Sequence, residues 1–357
     1  MEQLKGHLEI TDRGFGFLRS LENNYAPDKA DAYVPAALIQ NLKLPEGGLL
    51  VGMGEKQSPQ STNATLQSVE TINQMPLAEF FKFKPLQDQT SINPTEPWTL
   101  TQGSEDYTGR VLDMFIPVGR GQRGLIIAPP KSGKTTILRH MAAAISANHP
   151  DVDLFVLLVD ERPEEVTDFK RGLKAATVLY SSADQSIDTH MRMVRLALHT
   201  AILSAQIGRD SVVLIDSLTR MSRAFNVKTD SRGRTMTGGL GAGALAIPRK
   251  IFGAARNVEN GGSLTIMATI LVETGSRMDD IIYQEFKGTG NTDIVLSRAC
   301  AEKRIWPAVN INASGTRREE LLLDPESLKE ATRIRGALAS LDETVAMETI
   351  LAHFQKG

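Results

Sequence analysis

An apolar run that breaks into a turn and then a helical pattern, GLIIAPPKSGKTT, is the part of this sequence best suited to chemistry. Residues 128–135 read A-PPKS-GKT against the phosphate-loop pattern G-x4-G-K-[ST], with Ala128 where the pattern has its first glycine. Backbone N–H groups of Lys131, Ser132, Gly133, Lys134, Thr135 and Thr136 can still cradle phosphate at a helix N-terminus. Lys134 would neutralise β- and γ-phosphates, and the Thr135 hydroxyl would ligate Mg²⁺, so ATP and Mg²⁺ are the expected ligands. An ordinary strand-to-helix turn holding GKT by chance is the bland alternative. It leaves the flanking strand and helix patterns unexplained.

Hydrolysis at such a loop needs an acid for the metal and a base for the attacking water, both at the ends of neighbouring strands. SVVLID ends in Asp216, and LFVLLVD ends in Asp160-Glu161-Arg162. We assign Asp216 to the metal and Glu161 to the base. A helix cap or a salt-bridge partner is the alternative for either acid.

Two further stretches suit a nucleic-acid strand. Between Arg220 and Asn260 lie Arg220, Arg223, Lys228, Arg232, Arg234, Arg249, Lys250 and Arg256 against Asp230 and Glu259, a local +6 in a chain of net charge −2. TMTGGLGAGALAIP within it is too glycine-rich for a rigid helix, and a flexible loop among arginines suits a polyanion backbone. A solvated basic face is the alternative. Near the N-terminus, RGFGFLR sets Phe15 and Phe17 two apart with Arg13 and Arg19 flanking, a pattern that stacks successive bases and meets phosphate. Two core phenylalanines would look the same. Residues 1–97 hold 8 basic and 12 acidic residues, a net of −4, so binding there would rest on stacking more than on bulk attraction.

The elements that must hold these residues fall into two kinds. Residues 1–75 alternate as five short strands, which fits a small closed barrel of the OB type. Residues 76–109 carry Pro76, Pro85, Pro94 and Pro97 with a polar stretch and read as a linker. From residue 110 to 357, apolar strands (GLIIA, DLFVLLVD, TVLYS, SVVLID, SLTIMATI) alternate with helical patterns, which implies an α/β domain on a parallel sheet covered on both faces. At 357 residues, two domains are expected. No apolar run approaches the ~20 residues of a membrane span. The first ten residues carry charges where an export signal would be apolar, and the single Cys300 suits a reducing compartment, so a cytoplasmic protein is expected. Cys300 reads as a small buried hydrophobe.

Taken together and in order, GFGFLRS, GQRGLIIAPPKSGKTT, LLVDERPEEVTD, LIDSLTRMSRAFN, TMTGG, YQEFKGTGN and AEKRIWPAVNINASGTRREELL are similar to the bacterial transcription termination factor Rho family over nearly the whole chain. The resemblance implies a cold-shock-like OB domain before a RecA-like motor. It also implies a homohexameric, RNA-dependent ATPase that pulls single-stranded, pyrimidine-rich RNA through its ring and displaces it from DNA and from the RNA polymerase elongation complex. Under this resemblance Gly14, Phe15, Gly16, Phe17, Leu18, Arg19, Asp31, Ala32, Tyr33, Glu55, Lys56 and Gln57 form the primary RNA site. The family often has an aromatic where Gln57 stands. Thr235, Met236, Thr237, Gly238 and Gly239 correspond to the channel loop that grips RNA, with Arg277 and Lys287 near this secondary site. Nucleotide contacts are implied for Gly119, Arg120, Gly121, Gln122, Arg123, Gly124 and Arg162, with Trp306 beside the adenine. Arg317 corresponds to the arginine finger given to a neighbouring subunit, and Arg304 to a second trans arginine. Alternatives are a RecA-like ring ATPase acting on another polymer and an RNA-binding module with a vestigial ATP site.

Overall fold

The computed structural model describes every residue except 57–61, 174, 183, 231–240, 242 and 357, and gives no side-chain account of 228–230 and 356. Strands β1 (Glu2–Ile10), β2 (Gly16–Arg19), β3 (Ala32–Val34), β4 (Leu49–Lys56) and β5 (Ala64–Ile72) form one antiparallel sheet in the order β3-β2-β1-β4-β5. Tyr33 pairing with Thr65 joins β3 to β5 and closes the barrel. Period-two alternation turns Leu8, Leu18, Val34, Leu50, Leu66 and Ile72 inward, each at most 4% exposed. Helix α1 (Ala36–Leu42) follows β3, and β6 (Met75–Pro76) and α2 (Leu77–Phe80) lead out of the barrel.

The proline-rich segment expected as a linker is packed instead. Its β7 (Ser91–Ile92) pairs with β12 (Arg256–Val258). Trp98, 1% exposed, donates its indole N–H to Thr265 Oγ1 at 3.0 Å, and Leu86 and Leu100 are buried. These apolar residues are too widely spaced to show periodicity, so the sequence pattern hides their burial. Asp106 then caps α3 (Tyr107–Phe115) by accepting from Gly109 N at 2.9 Å.

The second domain is built on β8 (Arg123–Ala128), β9 (Asp153–Glu161), β10 (Thr177–Ser182), β11 (Asp210–Asp216), β13 (Ser263–Leu271), β14 (Thr292–Val295) and β15 (Gly315–Thr316). Their order is β10-β9-β11-β13-β8-β14-β15, parallel throughout except β15 at the edge. Helices α4 (Lys134–Asn148), α5 (Pro163–Gly172), α11 (Pro325–Leu338) and α12 (Glu343–Lys356) pack on one face with α3 and with the short α10 (Arg298–Glu302). Helices α6 (Ile187–Gln206), α7 (Leu218–Asp230), α8 (Ala246–Phe252) and α9 (Arg277–Lys287) cover the other. Along β8, Ile126 and Ala128 face the first layer while Leu125 and Ile127 face the second, which is why the strand reads as an unbroken apolar run. Cys300 is fully buried against α12, as a small hydrophobe should be. Among the described residues, no helix is long and apolar enough to cross a membrane.

The barrel docks on α6. Leu203 of that helix and Ile207 just past its end join the barrel core, and Tyr25 of the barrel enters the core of the second domain. Thr200 Oγ1 donates to Gly47 O at 2.9 Å and lies 3.2 Å from His7 Nδ1. Gly47 has φ +79°, and a Cβ there would lie 2.5 Å from His199 Cβ and 2.9 Å from Thr200 N. Gly47→Ala combines a left-handed backbone with a clash against a helix, so it should destabilise the joined domains by about 2 kcal/mol or more. Thermal unfolding of the full chain measures this, and an unchanged melting temperature would show that the barrel can be displaced from α6 at no cost.

Candidate active site and RNA platform

Parallel strands bring their C-terminal ends to one edge, so Ala128, Glu161 and Asp216 meet there. Ala128 ends β8 and is absent from the positive-φ residues, so a methyl group fits where the motif has glycine. Left-handed backbone is instead needed at Lys131 (φ 64°) and Gly133 (φ 91°). A Cβ on Gly133 would lie 2.5 Å from Cζ3 of Trp306, so the indole rests directly on the loop. Gly133, Thr136, His140, Trp306 and Pro307 line a cavity of about 120 Å³ beside it. The indole is 41% exposed, leaving a free face for a purine.

At the centre, Lys134 Nζ contacts Asp216 Oδ1 and lies 3.5 Å from Glu161 Oε2. Glu161 is 1% exposed and Asp216 fully buried, yet Glu161 Oε2 and Asp216 Oδ2 have no hydrogen-bond partner. Two buried carboxylate oxygens without hydrogen bonds, at the ends of β9 and β11, suit a hydrated divalent cation. Among the described residues no group of three His, Cys, Asp or Glu could enclose a metal.

Three supporting residues escaped the sequence reading. Arg220 donates from Nη2 to Glu161 Oε1 at 3.3 Å and from Nη1 to the Asp160 carbonyl. Thr269 Oγ1 donates to Asp216 Oδ1 at 2.9 Å, and Thr135 Oγ1 to Glu165 Oε2 at 3.2 Å. The available signal was position: Arg220 and Glu165 each occupy the first turn of the helix that follows a site strand. Arg220 is therefore part of the site and not of a polyanion-binding face. Other members of that basic stretch are also paired internally, Arg223 with Asp279 and Arg249 with Glu285. Lys228, Arg232, Arg234 and the expected channel loop Thr235, Met236, Thr237, Gly238 and Gly239 lie outside the residues whose side chains are described, as does Gln57.

Other expected residues separate into distinct places. Gly119, Arg120, Gly121, Gln122, Arg123 and Gly124 are not at the phosphate loop: they precede or open β8, whose other end is about 17 Å away. Arg120 instead pairs with Asp210 at 2.7 Å, and Gln122 Nε2 donates to Asn291 O at 3.1 Å. Arg317 shares that far edge, since Thr316 pairs with Thr292 at the start of β14. Burial, then the charges of Arg256 and Arg317, hold the Arg123 guanidinium below its ordinary value, so three cations gather there. Arg304 lies on the phosphate-loop side, two residues from Trp306, and is not brought together with Arg317. Arg162 is exposed at the start of α5. Arg277 and Lys287, both exposed, occupy the two ends of α9, about 15 Å apart.

On the barrel, Phe15, Phe17 and Tyr33 form a half-exposed aromatic cluster with centroids 5.5–6.0 Å apart. Glu55 and Lys56 are exposed at the end of β4. Leu18 and Ala32, by contrast, face the core, and Arg19 does not meet solvent phosphate. Its guanidinium pairs with Glu9 at 2.6 Å and Asp31 at 2.5 Å, with all three side chains at most 8% exposed.

A five-stranded barrel presenting aromatics, joined to a parallel-sheet domain with a phosphate loop and two strand-end acids, defines an RNA-binding P-loop ATPase of RecA type. The family model for the Rho termination factor RNA-binding domain matches residues 4–78, and that for the ATP synthase alpha/beta nucleotide-binding domain matches 109–316. Transcription termination factor Rho of Aquifex aeolicus is 45% identical over 356 residues, covering 99% of this chain and 82% of its own. That of Thermotoga maritima is 43% identical, covering 97% and 81%. A solved ATPase from the type III secretion system of pathogenic bacteria superposes with a TM-score of 0.61 at 26% identity over 70% of each chain. The chain belongs to the transcription termination factor Rho family.

Burial, opposed by Lys134 and then reinforced by Asp216, holds the Glu161 carboxyl above its ordinary range. A base with a raised value is lost to protonation sooner as pH falls, so turnover should decline at a pH higher than an ordinary glutamate would set. Glu161→Gln should remove that acid limb and lower kcat by about 10² or more while ATP still binds. The linkage runs the other way for folding. A carboxyl that holds its proton more tightly when folded loses stability as pH rises toward its folded pKa, so the variant should melt no lower than wild type at neutral pH. A loss of ATP affinity with kcat unchanged would place the base elsewhere.

Proposed function

We propose that this chain is an RNA-dependent ATPase, a translocase and RNA–DNA helicase that works as a homohexamer. In this reading it acts in the cytoplasm on nascent single-stranded, pyrimidine-rich RNA and terminates transcription by the RNA polymerase elongation complex. One observation supports the ring most directly. Arg317 is exposed, forms no ion pair among the described residues, and sits at the sheet edge opposite its own phosphate loop. An arginine there can serve only a nucleotide held by another copy.

In this reading the phosphates lie on the N–H groups of Lys131–Thr136, with the Lys134 ammonium against the β/γ oxygens. Thr135 and Asp216 would hold Mg²⁺, which would supply charge neutralisation to the phosphates. Glu161 accepts a proton from the attacking water, oriented by Arg220, and Trp306 stacks on the base. A neighbour's Arg317, backed by Arg123, meets the charge that develops on the γ-phosphoryl group. Phe15, Phe17 and Tyr33 supply ring faces for successive RNA bases.

Arg317→Ala should lower kcat by roughly 10³ or more, with nucleotide affinity and hexamer sedimentation retained. Mixing it with Lys134→Ala subunits tests the shared site, because some interfaces then carry both intact halves. Partial recovery of RNA-stimulated ATPase supports a finger acting between subunits; an Arg317→Ala protein that falls apart makes the residue structural. Separately, Phe15→Ala with Phe17→Ala should weaken oligocytidine binding by about 1–3 kcal/mol per lost stack. Anisotropy with a labelled oligomer reads this, and circular dichroism checks that the barrel persists.

A further inference from the structure

The aromatic platform of the barrel is braced from outside the barrel. Glu9 sits opposite Phe17 in the β1–β2 pairing, and the Arg19 guanidinium lies 4.7 Å from the centroid of the Phe17 ring. That guanidinium is held by Glu9 Oε2 and Asp31 Oδ2. The other oxygen of Glu9, Oε1, accepts from Nε of Arg192 at 2.7 Å, with Arg195 Nη2 3.6 Å away. Arg192 belongs to α6, 183 residues further along the chain.

Charge makes this contact necessary to the arrangement. Glu9 and Asp31 are two buried carboxylates, and among the described residues the barrel supplies only Arg19 to face them. Arg192 is the second close cation. Without it, Glu9 would swing toward Arg195 at the rim. That movement withdraws an anchor from Arg19, and with it the cation that fixes the face of Phe17.

We propose that Arg192 of the motor domain is a positioning residue for RNA binding on the barrel. It touches no base and acts through Glu9 and Arg19 on the orientation of Phe17. The inference rests on the reading that this platform binds RNA.

The test uses the full chain, a labelled oligocytidine and no nucleotide, read by fluorescence anisotropy. Arg192→Gln should weaken binding about tenfold, with Arg192→Lys between the two. Sedimentation, circular dichroism at the assay temperature and affinity for a fluorescent ATP analogue should stay as in wild type, which separates positioning from a general loss of structure, while the melting temperature should fall because a buried ion pair is broken. A double variant supplies the sharper reading. Once Glu9→Gln has removed the buried charge, adding Arg192→Gln should cost nothing further. Wild-type affinity in Arg192→Gln, or a loss that adds in full to that of Glu9→Gln, overturns the proposal. Should Arg192→Gln fail to fold, Arg192→Lys carries the test, and unchanged affinity there overturns it equally. If wild type itself does not bind, or binds no better than Phe15→Ala with Phe17→Ala, the RNA reading of the platform fails first and this inference with it.

Discussion

Two buried carboxylates stand side by side at the ends of β9 and β11, and the site is organised around the cations fixed against them. A buried acid pair raises its own pKa unless cations are fixed against it. Lys134 approaches from the phosphate loop and Arg220 from α7, so each acid meets a positive group. This compensation stops short of completeness. One oxygen of each acid remains without a hydrogen bond, and Glu161 stays protonatable above the usual range. The residual imbalance is what gives the site a use: a fully satisfied network would have no capacity left for a cation or a proton.

The same helices that meet these acids lead away from them. Helix α7 begins two residues after Asp216 and runs to Asp230. Helix α6 packs on β9 and β11 with one face and receives the barrel with the other. Its stripe Arg192, Thr200 and Leu203 follows helical spacing, which is why one element can serve two cores. The joint between domains is thus a set of specific polar and apolar contacts and not a loose tether.

How much of this was legible in the sequence depends on whether the partners are local. The phosphate loop and both strand-end acids were readable because strand, turn and helix follow one another within a few residues. Ala128 looked like a departure, but it stands in extended strand backbone where a side chain costs nothing. In the basic stretch the partnering acids are remote. Arg220 finds Glu161, Arg223 finds Asp279 and Arg249 finds Glu285, pairings that only the folded sheet and helices create. Strand polarity likewise sets Gly119–Gly124 at the edge opposite the chain's own phosphate loop, beside Arg317, a placement that residue spacing alone does not reveal. Segment 76–109 failed for a third reason: its burial is carried by single residues such as Trp98, which leave no period to detect.

The acidity of the barrel illustrates the limit of counting charges. A net of −4 over residues 1–97 suggests repulsion of RNA, yet the acids nearest the aromatic platform do not project a field into solvent. Glu9 and Asp31 are buried and face Arg19 and Arg192, and Glu46 faces Arg195 at 3.3 Å. Two of the cations doing this lie on α6, beyond the segment being counted. Once those pairs are formed, the exposed groups around Phe15 and Phe17 include Arg13 and Lys56 as well as Asp12 and Glu55. A polyanion approaching this face therefore meets nearly balanced charge and three aromatic rings. Recognition of single-stranded RNA by stacking, with weak dependence on salt relative to a basic groove, is the behaviour that such a surface physically allows.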